Sequence, residues 1–105
     1  MATARNEVES SHTLCLLQVL GLASANIGKH GFNLLLDALA NNGSLQRLNL
    51  SNNFIGSFHS ERYELFQSRN KTLKLLDLRS NQLSTEWCAT LVQLAEVGLG
   101  RVIQL

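Results

Sequence analysis

The sequence repeats a three-leucine pattern at equal intervals. The pattern Leu-x-x-Leu-x-Leu begins at Leu17, at Leu45 and at Leu73, so the three copies stand in one register with a 28-residue period. A fixed period of this length is typical of chains in which one small structural unit is stacked on the next. We therefore predict a stack of similar units, each of which buries its leucines against its neighbours.

Each copy opens a unit with a strand-like half and a helix-like half. In the second unit, Leu48 and Leu50 share one face of an extended segment, because alternate side chains of a strand point the same way. The first unit continues with apolar residues three or four positions apart, which suits one side of a helix: Phe32, Leu35, Leu36 and Leu39. This predicts helices packed on a parallel sheet, with the leucines between them and strands near residues 19–22, 47–50 and 75–78.

An asparagine follows the third leucine by three positions in the second and third units, at Asn53 and Asn81, and an apolar residue comes two positions later. The pattern LxxLxLxxNxL resembles the leucine-rich repeat. The glycines, leucines and asparagine of residues 28–44 are similar in spacing to the helical half of the ribonuclease-inhibitor-like subclass. The resemblance implies an α/β leucine-rich-repeat solenoid, a right-handed β-α superhelix with a short parallel sheet on the concave face and helices on the convex face.

The repeat register divides the chain into segments. The first residues are polar and off register, and we predict that they form an N-terminal flanking or capping segment. Val102-x-x-Leu105 is interpreted as the start of a fourth unit, one position later than the period counted from Leu73 would place it. Terminal repeats normally carry a polar outer face, so this apolar ending indicates either a fragment of a longer array or an edge that docks on a partner. The predicted segments are 1–16 for the flanking part and 17–44, 45–72, 73–101 and 102–105 for the repeats.

The first unit lacks the asparagine of the pattern and has Ala25 in its place. In the family that the pattern resembles, the asparagine amide satisfies backbone groups of the turn after the strand, including groups of the neighbouring repeat. An alanine cannot do so, and a buried unpaired polar group costs roughly 1–3 kcal/mol. We expect either that the strand end shifts by one residue to use Asn26 or that this turn is frayed.

The helical halves of the second and third units differ from the first. In the second unit Arg62, Tyr63 and Gln67 stand where the first has leucines, so we predict a helix in a shifted phase whose apolar side comes from Phe58, Leu65 and Phe66. In the third unit Ser84 is a predicted N-cap. We expect Trp87 to lie over the start of that helix and the residues facing inward to be Leu91, Leu94 and Ala95.

Composition and charge exclude several classes of partner. The net charge is +1, and the nine lysine and arginine residues are scattered from Arg5 to Arg101, which indicates solvated surface rather than a nucleic-acid site. No stretch approaches the roughly 20 apolar residues that a membrane span needs, and the first residues are too polar for a signal peptide. These features predict a soluble, cytoplasmic protein that binds neither nucleic acid nor membrane.

Catalytic and metal-binding patterns are missing from the sequence. Cys15 and Cys88 should be separated by two stacked layers, which is too far for a disulfide, and His12-x-x-Cys15 is only one weak half-site for zinc. There is no nucleophile elbow, HExxH motif or phosphate-binding glycine loop. We therefore expect no metal, no cofactor and no catalytic residue, and we predict that the chain is not an enzyme.

The exposed side of the predicted sheet, called the strand face below, is the candidate binding surface. Parallel stacking aligns Gly21, Asn49 and Asp77 in one column, and similar columns form on either side of it. The face mixes charge signs with amides and an outward leucine, which suits a protein partner. The candidate binding residues are Gln46, Arg47, Asn49, Ser51, Lys74, Leu75, Asp77 and Arg79.

These observations favour a non-enzymatic interaction or scaffold module that binds a protein through the strand face. One alternative is a regulator of a small GTPase, since proteins with similar repeats include the activators of Ran; Arg47 or Arg79 would then supply the arginine. Another is a structural subunit docked in a larger assembly through its apolar C-terminal edge. The same edge predicts end-to-end association through Val102–Leu105.

Overall fold

The chain folds as a mixed α/β structure with one parallel sheet. The computed structural model describes residues 17–57, 60–97 and 100–105. Its elements are β1 (Val19–Gly21), α1 (Gly28–Ala40), β2 (Arg47–Asn49), α2 (Ser60–Arg69), β3 (Leu75–Asp77), α3 (Thr85–Val97) and β4 (Val102–Gln104). The four strands pair in the order β1-β2-β3-β4, all parallel. The prediction of parallel strands at the three leucine patterns is confirmed.

The strand register follows the sequence period except at the last strand. Arg47 pairs with Val19, and Leu75 pairs with Arg47, as that period requires. Val102 pairs with Leu75, so the observed interval is one position shorter than the period. The predicted interval was one position longer than the period and is therefore wrong. The observed register places Ile103 beside Leu76, where it packs against the core. The predicted register would have aligned Ile103 with the exposed Lys74.

The hydrophobic core lies between the sheet and the helices. Alternate strand residues point inward, as period 2 requires, and they meet one side of each helix. Leu17 is 47% exposed although Leu45 and Leu73, at the same place in the pattern, are buried. The fully buried apolar side chains include Phe32, Leu36, Leu50, Phe66, Leu73, Leu76 and Leu91.

Two glycines shape the start of α1. Gly28 has a φ of +72°, a left-handed conformation that a side chain would strain. At Gly31, a Cβ would lie 2.7 Å from Cγ2 of Ile27. That carbon belongs to a stiff β-branched side chain, so it cannot swing away easily. The two glycines therefore allow the chain to turn tightly into the helix and to pack on itself there.

The helix predicted for the second unit is present as α2, but of its predicted apolar side only Phe66 is shown to be buried. Tyr63 and Phe66 are buried with their rings edge to face at 5.4 Å, whereas Leu65 is 43% exposed. Residues three apart share one side of a helix, and Leu65 falls off that side because each step turns about 100°. Phe58, also predicted to be an apolar contact, lies outside the described residues.

The start of α3 follows the prediction. The hydroxyl of Ser84 accepts a hydrogen bond from the backbone N–H of Trp87 at 3.2 Å, which is the N-cap interaction. Leu91 is buried, while Trp87 and Leu94 pack partly buried against the core. α1 and α2 also pack against each other, with an exposed ion pair between Asp37 and Arg62 at 3.5 Å.

Candidate binding face of the sheet

Asparagine side chains fix the turns that follow the strands. The Asn53 side-chain oxygen accepts from the backbone N–H of Ala25 at 2.9 Å, and its amide nitrogen donates to the carbonyl of Leu22 at 2.8 Å. Asn81 does the same for the next unit, accepting from Asn53 N–H at 2.8 Å and donating to the carbonyl of Leu50 at 2.8 Å. Each asparagine thus ties its own turn to the turn before it.

This arrangement corrects the expectation for Ala25. Neither predicted outcome occurs, because the N–H groups of Ala25 and Ile27 are satisfied by the Asn53 side chain of the next unit. Asn26 takes a left-handed conformation with φ of 56° and does not replace the missing amide in these bonds. The resemblance implied that such an amide also serves the turn of the neighbouring unit, and the Asn53 side chain bonds both its own turn, at Leu50 and Ser51, and the preceding turn.

A buried arginine anchors β4 to the rest of the sheet. Arg101 is 4% exposed, and its guanidinium donates to the carbonyls of Leu73 at 2.7 Å and Asn70 at 2.9 Å and to Gln67 Oε1 at 2.7 Å. The guanidinium carbon lies 4.5 Å from the centre of the Phe66 ring, a cation–π contact. Burial lowers the pKa of Arg101. The prediction that the basic residues are solvated surface is therefore wrong for Arg101.

The strand face brings the predicted site residues together in columns. One column runs Val19, Arg47, Leu75 and Val102 across the four strands. The next column runs Gly21, Asn49, Asp77 and Gln104. The remaining candidates flank these columns: Gln46 and Lys74 are exposed before their strands, Ser51 is half-buried and Arg79 exposed beyond them.

The side chains of Asn49, Asp77 and Arg79 form hydrogen bonds within the fold. Asn49 Oδ1 accepts from Ser51 N–H at 2.9 Å. Asp77 uses both carboxylate oxygens, Oδ1 accepting from Arg79 N–H and Nε at 3.0 Å each and Oδ2 from Nη2 at 2.8 Å. These bonds from Arg79 lower the pKa of Asp77, which is 5% exposed. The prediction that Asp77 contributes an exposed charge is wrong, because Arg79 covers it.

A shallow depression of about 290 Å³ lies on the strand face. Gly21 has no side chain, and a Cβ added there would meet no atom within 4 Å. Sequence reasoning placed Gly21 in its column but did not include it among the site residues. The signal was present, since the same column holds the larger Asn49 and Asp77. The depression is lined mainly by Val19, Gly21, Arg47, Asn49, Leu75 and Asp77.

Phe54 is a second residue that sequence reasoning did not include in the site. It is 56% exposed and has a φ of 57°, in the left-handed region that a bulky side chain rarely adopts. The equivalent positions in the units before and after it, Asn26 and Gln82, have φ of 56° and 61°, so the conformation belongs to the repeat. An exposed aromatic ring in a strained conformation beside the strand ends is a candidate contact residue.

The described part of the chain offers no metal site. Within residues 17–57, 60–97 and 100–105, no three His, Cys, Asp or Glu side chains are grouped so that they could hold a metal ion. Cys88 is a free, half-buried thiol. His12 and Cys15 lie outside the described residues. No helix in the described chain is long and apolar enough to cross a membrane.

The C-terminal edge is partly apolar, as predicted. Val102 is 54% exposed and Leu105 is 39% exposed, while Ile103 packs partly buried against the core. Gln104 contributes its carbonyl to the N–H of Leu78 at 2.8 Å. End-to-end association through Val102–Leu105 stays a prediction.

Comparison with known proteins gives no assignment. No protein-family model matches the chain, and no curated protein matches it significantly in sequence.

Proposed function

We propose that the chain is a short leucine-rich-repeat solenoid of the ribonuclease-inhibitor-like type that binds a protein partner through its strand face, without catalysis. The proposed fold is supported by the equal pairing intervals between β1, β2 and β3 and by the asparagine bonds that link successive turns. In such a stack the strand face is the concave side and the helices form the convex side.

The observation that carries the function is the depression over Gly21. It lies among Arg47, Leu75 and Val19, which combine a long basic side chain with two apolar ones. The core of an interface is more apolar than its polar rim, and arginine is enriched in interfaces. Gln46, Lys74 and Ser51 supply that rim. The surface is open and shallow, which suits a protein segment better than a small molecule.

The alternative of a GTPase regulator requires an arginine that is free to enter a partner's active site. Arg79 is held by both oxygens of Asp77, which favours a structural role. Arg47 has no ion-pair partner among the described residues. No specific observation favours this function over simple recognition, so Arg47 is here assigned to binding.

A substitution that fills the depression tests the proposal. Gly21→Phe adds a ring where a Cβ meets no atom within 4 Å, so it should block the strand face without disturbing the fold. Gly43→Phe is the matched control, since Gly43 also faces open space but lies in the loop before β2. Peptides selected from a displayed random library on the immobilised chain should lose binding to Gly21→Phe and keep binding to Gly43→Phe. Equal binding to both variants would remove the strand face as the site.

A further inference from the structure

The charged side chains of the strand face are mostly basic. Arg47 and Lys74 are exposed, and no carboxylate among the described residues is paired with either. Arg79 is paired with Asp77 at 2.8 Å, and Asp77 is buried beneath it. Three basic side chains against one carboxylate leave two net positive charges on the described part of this face. That carboxylate is both covered and neutralised by its neighbour.

The helices carry the opposite balance. Among the helical residues whose side chains the structure describes, three are basic and four are acidic, which leaves one net negative charge on α1, α2 and α3. The small net charge of the whole chain, +1, therefore conceals a separation of charge between the two sides of the sheet. The helical residues counted are Lys29, Arg62 and Arg69 against Asp37, Glu61, Glu64 and Glu86.

The dimensions of the strand face limit what can lie on it. Four strands have three spacings of about 4.8 Å, so the sheet is about 14 Å across. An extended peptide rises about 3.3 Å per residue and crosses this width in about five residues. Along such a path it passes over the depression at Gly21 and within reach of Arg47 on β2 and of Lys74 just before β3.

We propose that the partner presents an extended acidic segment, rich in Asp and Glu, to the strand face. Its carboxylates pair with Arg47 and Lys74, and one apolar side chain sits over Gly21 between Val19 and Leu75. This inference rests on the proposed function, because it names the chemistry of the segment that the strand face binds. Complementary charge of this kind mainly sets specificity and the rate of association.

The selected peptides provide the first part of the test. Peptides enriched from the displayed random library at low ionic strength should contain an excess of Asp and Glu and few Lys or Arg. Their affinity should fall as salt is raised, since the pairing charges are exposed. If the selected peptides share a neutral or basic sequence and still fail to bind Gly21→Phe, the acidic segment is overturned. The strand face would then remain the binding site.

Charge reversal provides the second part, with a matched control in the helices. Arg47→Glu/Lys74→Glu should weaken binding of the acidic peptide about tenfold or more, because two attractions become repulsions. Arg69→Glu/Lys29→Glu makes the same change in net charge at exposed helical positions and should alter affinity by no more than about twofold. An equal loss in both double variants would mean that bulk charge alone is sensed, which overturns the inference. A selection that enriches no peptide above a bare surface would count against the proposed function as well.

Discussion

The backbone N–H of Asn53 donates to the side-chain oxygen of Asn81, in the next unit, at 2.8 Å. The same asparagine amide donates to the carbonyl of Leu50 at 2.8 Å and to that of Leu78 at 3.0 Å. Asn81 is 1% exposed, so these groups have little access to water. One side chain thus satisfies backbone groups of two successive turns.

We expect Asn81→Ala to lower the free energy of unfolding by about 2–4 kcal/mol, because several buried backbone groups lose their partner at once. Urea unfolding followed by the fluorescence of Trp87, the only tryptophan, measures this loss. The control is Ala25→Asn, which adds the amide at the exposed equivalent position and should change stability by less than about 0.5 kcal/mol. Similar effects for the two variants would show that the backward hydrogen bonds do not stabilise the stack.

We expect Arg101→Ala to destabilise the chain by about 3 kcal/mol, because it leaves the carbonyl of Leu73 and the Gln67 side chain without their buried donor. Arg69→Ala removes the same side-chain type at an exposed position and should cost less than about 0.5 kcal/mol. Thermal unfolding of both variants measures the two losses of stability. A loss of stability from Arg69→Ala as large as that from Arg101→Ala would contradict the anchoring role of Arg101.

Tyr63 should make the fold sensitive to alkali. Burial raises the pKa of Tyr63 to about 12, above the ordinary value of 10.0, although the nearby charge of Arg101 lowers it. A raised pKa means that the folded state holds the proton more tightly than the unfolded state does. The contribution of protonated Tyr63 to the free energy of unfolding is therefore complete below pH 10 and is lost as the pH rises from 10 towards 12. A difference of two pKa units corresponds to about 3 kcal/mol.

The chain contains one tyrosine, so ultraviolet absorbance of the tyrosinate form reports Tyr63 alone. We expect titration near pH 12 in the folded chain and near pH 10 in urea. Between pH 10 and pH 12 the free energy of unfolding should fall for the natural chain and should fall less for Tyr63→Phe. Titration of the folded chain at pH 10 would mean that the ring is not buried as described.

Phe54 should show opposite effects on stability and on binding. Its φ of 57° strains a bulky side chain, whereas asparagine tolerates this region and occupies it at Asn26, the equivalent position of the preceding unit. Phe54→Asn should therefore stabilise the chain by about 0.5–1 kcal/mol and weaken partner binding. Calorimetry and a peptide-binding titration measure the two effects. Loss of stability on this substitution would indicate that Phe54 is held by packing rather than retained for contact.

Much of the fold could be predicted because its strongest signals are local and periodic. Alternating leucines such as Leu48 and Leu50 define the inward side of a strand without reference to the rest of the chain. The position of β4 could not be predicted so well, since Val102, Ile103 and Leu105 offer several apolar positions that fit more than one register. The structure selects the register in which Ile103 meets Leu76.

The site was less predictable because it depends on which side chains pair. Arg101 and Lys74 each directly precede a strand, yet one is buried and the other exposed, and residue type does not distinguish them. Asp77 was predicted to lie on the exposed strand face, and its pairing with Arg79 was not predicted. The depression at Gly21 arises from an absent side chain. These features depend on three-dimensional pairing, which a periodic pattern does not encode.

Mapping a bound peptide onto the isotope-labelled chain by nuclear magnetic resonance tests the central claim most directly. The probe is an acidic peptide enriched from the displayed library, titrated into the natural chain and, as a control, into Gly21→Phe. Our account predicts that backbone amide shifts concentrate in β1, β2 and β3, at Gly21, Arg47 and Leu75, and vanish with Gly21→Phe. Shifts concentrated in α1 and α2, and retained with Gly21→Phe, would contradict binding at the strand face.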